Sequence, residues 1–302
     1  MNFFAPNLFE LSTKSGRING FYFFDVDKDS IANYDDVARN THSMQSKYTY
    51  EVSNKIIIPN SFKIKYRWFL VDNCCVYYFR KFLGIPLKLQ YNYKTRKMLV
   101  NFFYHLLIRF EIGNIWPTGK ILSNFITYDL QKQGFGIFHG ISFKVNNKTF
   151  CIFAPGGNFK TPLLNSVLKY GGFYISGDKV VIRSCTSFFV PPFNNDVKLP
   201  FKPETESRID HVIFATLGDC YLETKNLQED EINNYLNLYN VLNFLGNGWA
   251  LNALQLLENS NSVSDWYSSL NLNKVGSFGK VQFTHVDQLL RYVNNLAGVT
   301  YE

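Results

Sequence analysis

A charge-free run, Thr149 to Phe153, leads into Ala154-Pro-Gly-Gly-Asn-Phe-Lys160-Thr161 and then into a stretch from about Pro162 to Tyr170 that reads as a helix. These residue types in this order suit one kind of chemistry, the cradling of phosphate. Backbone N–H groups at the start of a helix converge on an anion, and the helix dipole adds positive potential. Gly156 and Gly157 allow the tight turns and close main-chain approach that such a loop needs. Together with Asn158 and Phe159 they would wrap the anion. Lys160 would bridge the terminal phosphates, and the Thr161 hydroxyl would hold Mg²⁺. Pro162 falls in the first helical turn, where its missing N–H costs little. The pattern departs from G-x-x-x-x-G-K-[ST] at Ala154 and Phe159, which stand where glycines are usual. Phe159 is the larger departure, because it sets a ring beside the lysine. The loop alone supports two readings, a nucleotide-binding loop and a plain Gly-rich turn from strand to helix.

Two flanking segments extend the pattern. Phe138-His139-Gly140-Ile-Ser142 precedes a hairpin at Asn146-Asn147, and Gly171-Gly-Phe-Tyr-Ile-Ser-Gly177-Asp178-Lys-Val-Val-Ile182 follows the helix. This ordered set resembles the catalytic domain of HPr kinase/phosphorylase and its relatives, including the HPr-kinase-like peptide kinases found beside lasso-peptide genes. Those proteins carry a His-Gly or His-x-Ser strand, a hairpin, a loop ending in Gly-Lys-Ser/Thr, a helix, and then a strand leading to an Asp-Asp pair. The resemblance covers roughly residues 135 to 190 and reaches the flanks in outline.

The resemblance implies ATP and Mg²⁺ as cofactors and assigns roles by position. Lys160 contacts the β and γ phosphates, and Thr161 binds the metal. Asp178 matches the second acid of the pair, implicated in metal binding and catalysis. His139 matches the strand histidine close to the reacting phosphate. Gly177 stands where the family has its first acid, the group that activates the attacking hydroxyl. Lys179 and Val180 continue the motif without needing a catalytic role. The implied function is an ATP-dependent phosphotransferase acting on a hydroxyl, such as a Ser of a peptide or carrier protein. The alternative is a catalytically inactive nucleotide-binding or scaffold protein that keeps a degenerate loop. Phosphoryl transfer depends on positioning and charge neutralisation more than on a strong base, so one acid, the metal and His139 as proton acceptor could suffice. The HPr kinases it resembles form hexamers, which implies a homo-oligomer.

The elements that must position these groups read as α/β. A mostly antiparallel α+β region, residues 1–120, is expected to precede an HPr-kinase-like domain, residues 121–302, with a central mixed sheet and flanking helices. Residues 1 to about 60 read as an irregular extension with strands at Gly20–Phe24 and Ile56–Ile58. Short aromatic and β-branched runs from Phe62 to Lys97 read as antiparallel strands with turns at Asp72-Asn73, Gly84-Ile-Pro86 and Asn92-Tyr-Lys94. Apolar residues at helical spacing predict a helix over Met98–Ile112 and a second over Ile121–Lys132. Phe138–Val145 and Thr149–Phe153 read as strands, the latter buried on both faces. Further strands are expected at Phe173–Ser176, Lys179–Ile182 and Val212–Leu217. Helices follow near Glu229–Phe244, Ala250–Glu258 and Val286–Leu296.

Composition narrows the partners. A net charge of +7 favours acidic ones. Yet the densest basic cluster, Lys63, Lys65, Arg67, Arg80, Lys81, Lys94, Arg96 and Lys97, alternates with aromatic and apolar residues, as on a solvated sheet face. A docking face for an acidic partner is the next reading, and nucleic acid the least favoured. The aromatic share of 17% is read as Phe filling core positions. The cysteines 74, 75, 151, 185 and 220 are odd in number and include no C-x-x-C, which fits neither a disulfide framework nor a zinc site. Cys151 and Cys185 read as small core residues. Asp25, Asp27, Asp29, Asn33 and Asp36 have the spacing of a calcium loop but lack its glycine, and read as a solvated acidic turn. His105 and His211 read as structural, and His42 and His285 have no nameable partner. No basic start with an apolar stretch and no bilayer-length apolar run is seen, so a soluble cytoplasmic protein without a membrane partner is expected.

Overall fold

Strands with alternating or wholly apolar faces need partners, and two sheets among the described residues supply them. In a computed structural model of the chain the described residues are 9–13, 46–66, 68–72, 74–109, 130–131, 133–155, 159–177, 179–190, 202–204, 206–219, 222–240, 270 and 272–299. Those up to residue 131 form one compact unit, and those from residue 133 onward form a second. The strand read at Gly20–Phe24, the acidic turn at 25–36 and the helix read over Ala250–Glu258 lie outside the described residues. So does the helix over Ile121–Lys132, apart from residues 130 and 131, which are helical. No helix among the described residues is long and apolar enough to cross a membrane.

The first unit is built on a mixed sheet. Strands β3 (Ile64–Tyr66), β4 (Phe69–Val71), β5 (Cys75–Phe82), β6 (Ile85–Asn92) and β7 (Lys97–Val100) pair successively and antiparallel. Beyond β7 the sheet continues in parallel through β2 (Ser46–Val52) to β1 (Phe9–Thr13). Leu87, Leu89 and Tyr91 on β6 and Met98 and Val100 on β7 turn one face inward with the strand period of two. Tyr104, from helix α1 (Phe102–Arg109), meets Tyr78 edge-on at 5.9 Å, and Tyr78 meets Phe69 at 5.2 Å. Lys81 and Lys94 of the basic cluster are exposed, and Lys97 pairs with Glu51 at 3.1 Å.

Three local expectations are corrected here. The helix expected over Met98–Ile112 begins only at Phe102, because Met98–Val100 pair with β6 as strand. Asn101 makes the break: its Oδ1 accepts from the N–H groups of Lys88 and Tyr104, and its Nδ2 donates to the Pro86 carbonyl. Ile56–Ile58 is not a strand; Ile56 is buried while Ile57 is exposed. The turn expected over Gly84-Ile-Pro86 lies one residue earlier, at Leu83-Gly84, both with positive φ (48° and 79°), and Ile85 and Pro86 belong to β6.

The second unit has helices on both faces of a mixed sheet. Strand β8 (Gly136–Val145) turns at Asn146-Asn147, both left-handed, into β9 (Lys148–Phe153). β9 is parallel to β15 (His211–Leu217), which is parallel to β17 (Ser277–Phe283). On the other side of β8 lies β11 (Lys179–Arg183), then β12 (Thr186–Phe188) and β14 (Glu206–Arg208), all antiparallel. β10 (Phe173–Ser176) also pairs with β8, and with β13 (Lys202–Pro203). β16 (Glu223–Asn226) edges β17.

The charge-free stretch of β9, Thr149 to Phe153, is buried on both faces, as its composition predicts. Phe150 and Ile152 join a core with helices α2 (Lys160–Lys169) and α4 (Val286–Ala297). Cys151 and Phe153 join a second core with α3 (Glu229–Tyr239). Phe138, Phe143, Phe150, Phe153 and Phe214 are all fully buried, so Phe does serve as core filler.

Candidate functional site

The carboxyl ends of parallel strands are where open α/β sheets gather their ligand-binding loops. β9 ends there at Phe153, and the chain reaches α2 seven residues later, at Lys160. Gly156, Gly157 and Asn158 lie outside the described residues, as does Asp178; the residues that frame them are described.

Phe159 adopts an ordinary right-handed conformation, φ −95° and ψ −23°, so this position does not demand glycine. Its ring is 3% exposed and meets Phe283 of β17 edge-on at 4.9 Å. It fills the core between α2, α4 and the sheet. The bulk that looks obstructive in sequence is directed into that core. Phe159 supplies no side-chain cap to α2, and the first turn contains no acid that would neutralise its positive end.

Lys160 opens the helix yet is only 6% exposed. Its Nζ donates to the Pro155 carbonyl at 2.8 Å, so the side chain folds back across the start of the loop. Thr161, next along, is exposed. Burial of an ammonium is costly unless polar groups compensate it. An amine held at a helix start is a natural partner for an anion.

His139 closes the base of the loop. Its Nδ1 lies 2.6 Å from the Ala154 carbonyl, and Ala154 N–H donates to the His139 carbonyl at 3.2 Å. A carbonyl only accepts, so Nδ1 carries the hydrogen, and in the neutral ring Nε2 bears the lone pair. The next residue, Gly140, has no room for a side chain: a Cβ there would lie 2.3 Å from the Ile152 carbonyl oxygen. That close approach accounts for the His-Gly pair in the strand.

Across the sheet, Lys179 on β11 is the register partner of His139 on β8. Paired residues share a face, and Ile141 and Phe143 show that this face of β8 is the one α2 covers. Lys179 is 4% exposed and His139 8%. Strand β8 thus joins the start of the loop at Ala154 to the segment that carries Gly177. Sequence reasoning gave Lys179 no role. Its signal was a lone cation opening the apolar run Lys-Val-Val-Ile, a position that burial makes expensive.

Other candidates fall away from this site. Cys151 is fully buried, and burial pushes its thiol up to about 12, which makes it inert. Cys185 is a buried core residue. His211 lies at the opposite end of β15 from the carboxyl edge, stacked on Phe150 at 4.9 Å with Nδ1 2.7 Å from Ser277 Oγ. His285 caps α4 with Gln288. The chain matches no protein-family model and no curated protein.

Proposed function

We propose that the second unit is an HPr-kinase-like, ATP-dependent phosphotransferase that acts on a hydroxyl, with a Ser of a peptide or carrier protein as the favoured acceptor. The observation that carries this reading is the Lys160 ammonium, buried at the acid-free start of α2 and 2.8 Å from the Pro155 carbonyl. ATP would supply the transferable phosphoryl group and Mg²⁺ the charge that screens it. In the chain itself, Lys160 would exchange its carbonyl partner for phosphate oxygens, a stronger charge-assisted bond. Thr161 would contribute its hydroxyl, and Asp178 a carboxylate, to the metal. Gly156, Gly157, Asn158 and Phe159 would line the anion with main chain. As the acceptor oxygen bonds to phosphorus and the bond to the leaving ADP breaks, the hydroxyl proton would pass to Nε2 of His139, whose Nδ1 is committed to Ala154.

A second reading has one specific observation in its favour. Gly177 stands where the acid that activates the hydroxyl is expected, which suits a nucleotide-binding scaffold without transfer. Two measurements separate the readings. Lys160→Ala should abolish both Mg-ATP turnover and the stabilisation of the fold by Mg-ATP, which amounts to about 2.7 kcal/mol at 100 times the dissociation constant. Stabilisation of the unaltered chain without turnover selects the scaffold. Unchanged turnover in the Lys160→Ala variant overturns the assignment.

A further inference from the structure

The first unit carries a separate group of metal-ligating side chains. The β4–β5 turn brings Asp72, Cys74 and Cys75 together, with a carboxylate oxygen and both Sγ atoms all within 4.8 Å of one another. The two sulfurs lie 3.8 Å apart. Two Zn–S bonds of about 2.3 Å at the tetrahedral angle would set their sulfurs about 3.8 Å apart, so this spacing already matches one edge of a zinc site.

The surroundings are those of ligands held from behind. Oδ1 of Asp72 accepts from the N–H groups of Cys74 and Cys75, at 2.9 and 2.7 Å, which fixes the carboxylate over the turn. Tyr77 donates to Oδ2 at 3.2 Å. Gln90, reaching from β6, aims Nε2 at the sulfur of Cys75 at 3.4 Å, a donor suited to a sulfur that carries negative charge. Cys75 is buried, while Cys74 keeps partial contact with solvent and leaves a way in.

We infer that Asp72, Cys74 and Cys75 form a Zn²⁺ site, with two thiolates and one carboxylate as ligands and the fourth position left to water. Two sulfurs exclude Mg²⁺ and Ca²⁺, and the hard carboxylate disfavours Cu(I), leaving a borderline ion. Binding replaces the two thiol protons by one dication, so about two protons are released and affinity rises with pH.

The test uses the full chain, stripped with a chelator and titrated with Co²⁺ as a coloured stand-in for Zn²⁺. One equivalent should bind with a near-ultraviolet sulfur-to-cobalt charge-transfer band that added Zn²⁺ bleaches, and calorimetry in buffers of different ionisation enthalpy should report the proton release. Cys74→Ser should lose the band or weaken binding at least tenfold. Asp72→Asn keeps the acceptor that shapes the turn and should also bind at least tenfold more weakly, with its melting curve confirming an intact fold. Cys151 and Cys185 stay in both variants as controls. An unaltered chain that shows no such band, or a Cys74→Ser variant with an undiminished one, overturns the proposal. Neither result bears on Lys160, which belongs to the other unit.

Discussion

His139 and Ala154 hold one another by two hydrogen bonds: the imidazole Nδ1 donates to the Ala154 carbonyl at 2.6 Å, and the Ala154 N–H donates to the His139 carbonyl at 3.2 Å. The first residue after β9 is therefore tied to β8 by side chain and main chain alike, and the loop toward Lys160 starts from a fixed point. Replacing His139 with Leu strands a buried carbonyl, which should cost about 1–3 kcal/mol. His139→Asn offers an N–H at a similar position and should recover most of that loss in urea denaturation. Both variants should lack turnover if Nε2 takes the proton. Full turnover in the Asn variant would remove the histidine from the chemistry and leave it a structural clamp.

Restoring the glycine that the loop pattern calls for should damage the protein. Phe159 fills the core against Phe283. Truncating a buried Phe costs about 3–5 kcal/mol, and glycine adds backbone freedom to the unfolded chain. The urea midpoint of Phe159→Gly should fall accordingly, and Phe159→Leu should lie between. A Gly variant as stable as the parent would show that the ring is not core.

Lys179 should matter to the anion although the motif gives it no part. It is buried beside His139 on the face that α2 covers. Lys179→Met keeps length and apolar stem but removes the charge. The expected outcome is an Mg-ATP dissociation constant raised at least tenfold, about 1.4 kcal/mol. An unchanged constant would return Lys179 to a structural role.

Gly177→Asp asks whether the missing acid limits turnover. Gly177 is not among the left-handed glycines, so an L residue is allowed. Its Cβ would lie 3.3 Å from the Tyr174 hydroxyl, which must give by a few tenths of an ångström, and in ordinary contact with Leu164 at 3.5 Å. The variant should fold and turn over ATP faster than the parent. A folded variant with no gain would mean that the transferred proton does not pass through position 177.

His211 should make the fold sensitive to mild acid. Burial, then the Lys148 charge, lowers its pKa below the ordinary 6.5, with Asp210 opposing. The folded chain consequently binds fewer protons than the unfolded chain between the two values. The stabilisation is complete above about pH 6.5 and is lost as pH falls through the lower, folded value. Denaturation midpoints should drop between pH 7.5 and 5.5, and His211→Gln should flatten that slope. Equal slopes in the two proteins would place the sensitivity elsewhere.

Local order was legible in the chain because local chemistry sets it. The run Thr149–Phe153 carries no charge, so it had to be buried on both faces, and Asn146-Asn147 accepts the left-handed turn that joins β8 to β9. Pro162 and the apolar positions after it set α2 directly behind the loop. Contacts between distant residues could not be read this way. Met98–Val100 has helical spacing yet is strand, because β6 offers backbone partners and Asn101 caps the helix that follows. The direction of the Phe159 ring was settled by Phe283, and the burial of Lys179 by its register with His139. Likewise, adjacent cysteines that fit no metal spacing in sequence gained Gln90 and Tyr77 as neighbours only when β4, β5 and β6 paired. Periodicity records which faces a segment must hide; which side chain it meets there depends on strand register, fixed by the whole sheet at once.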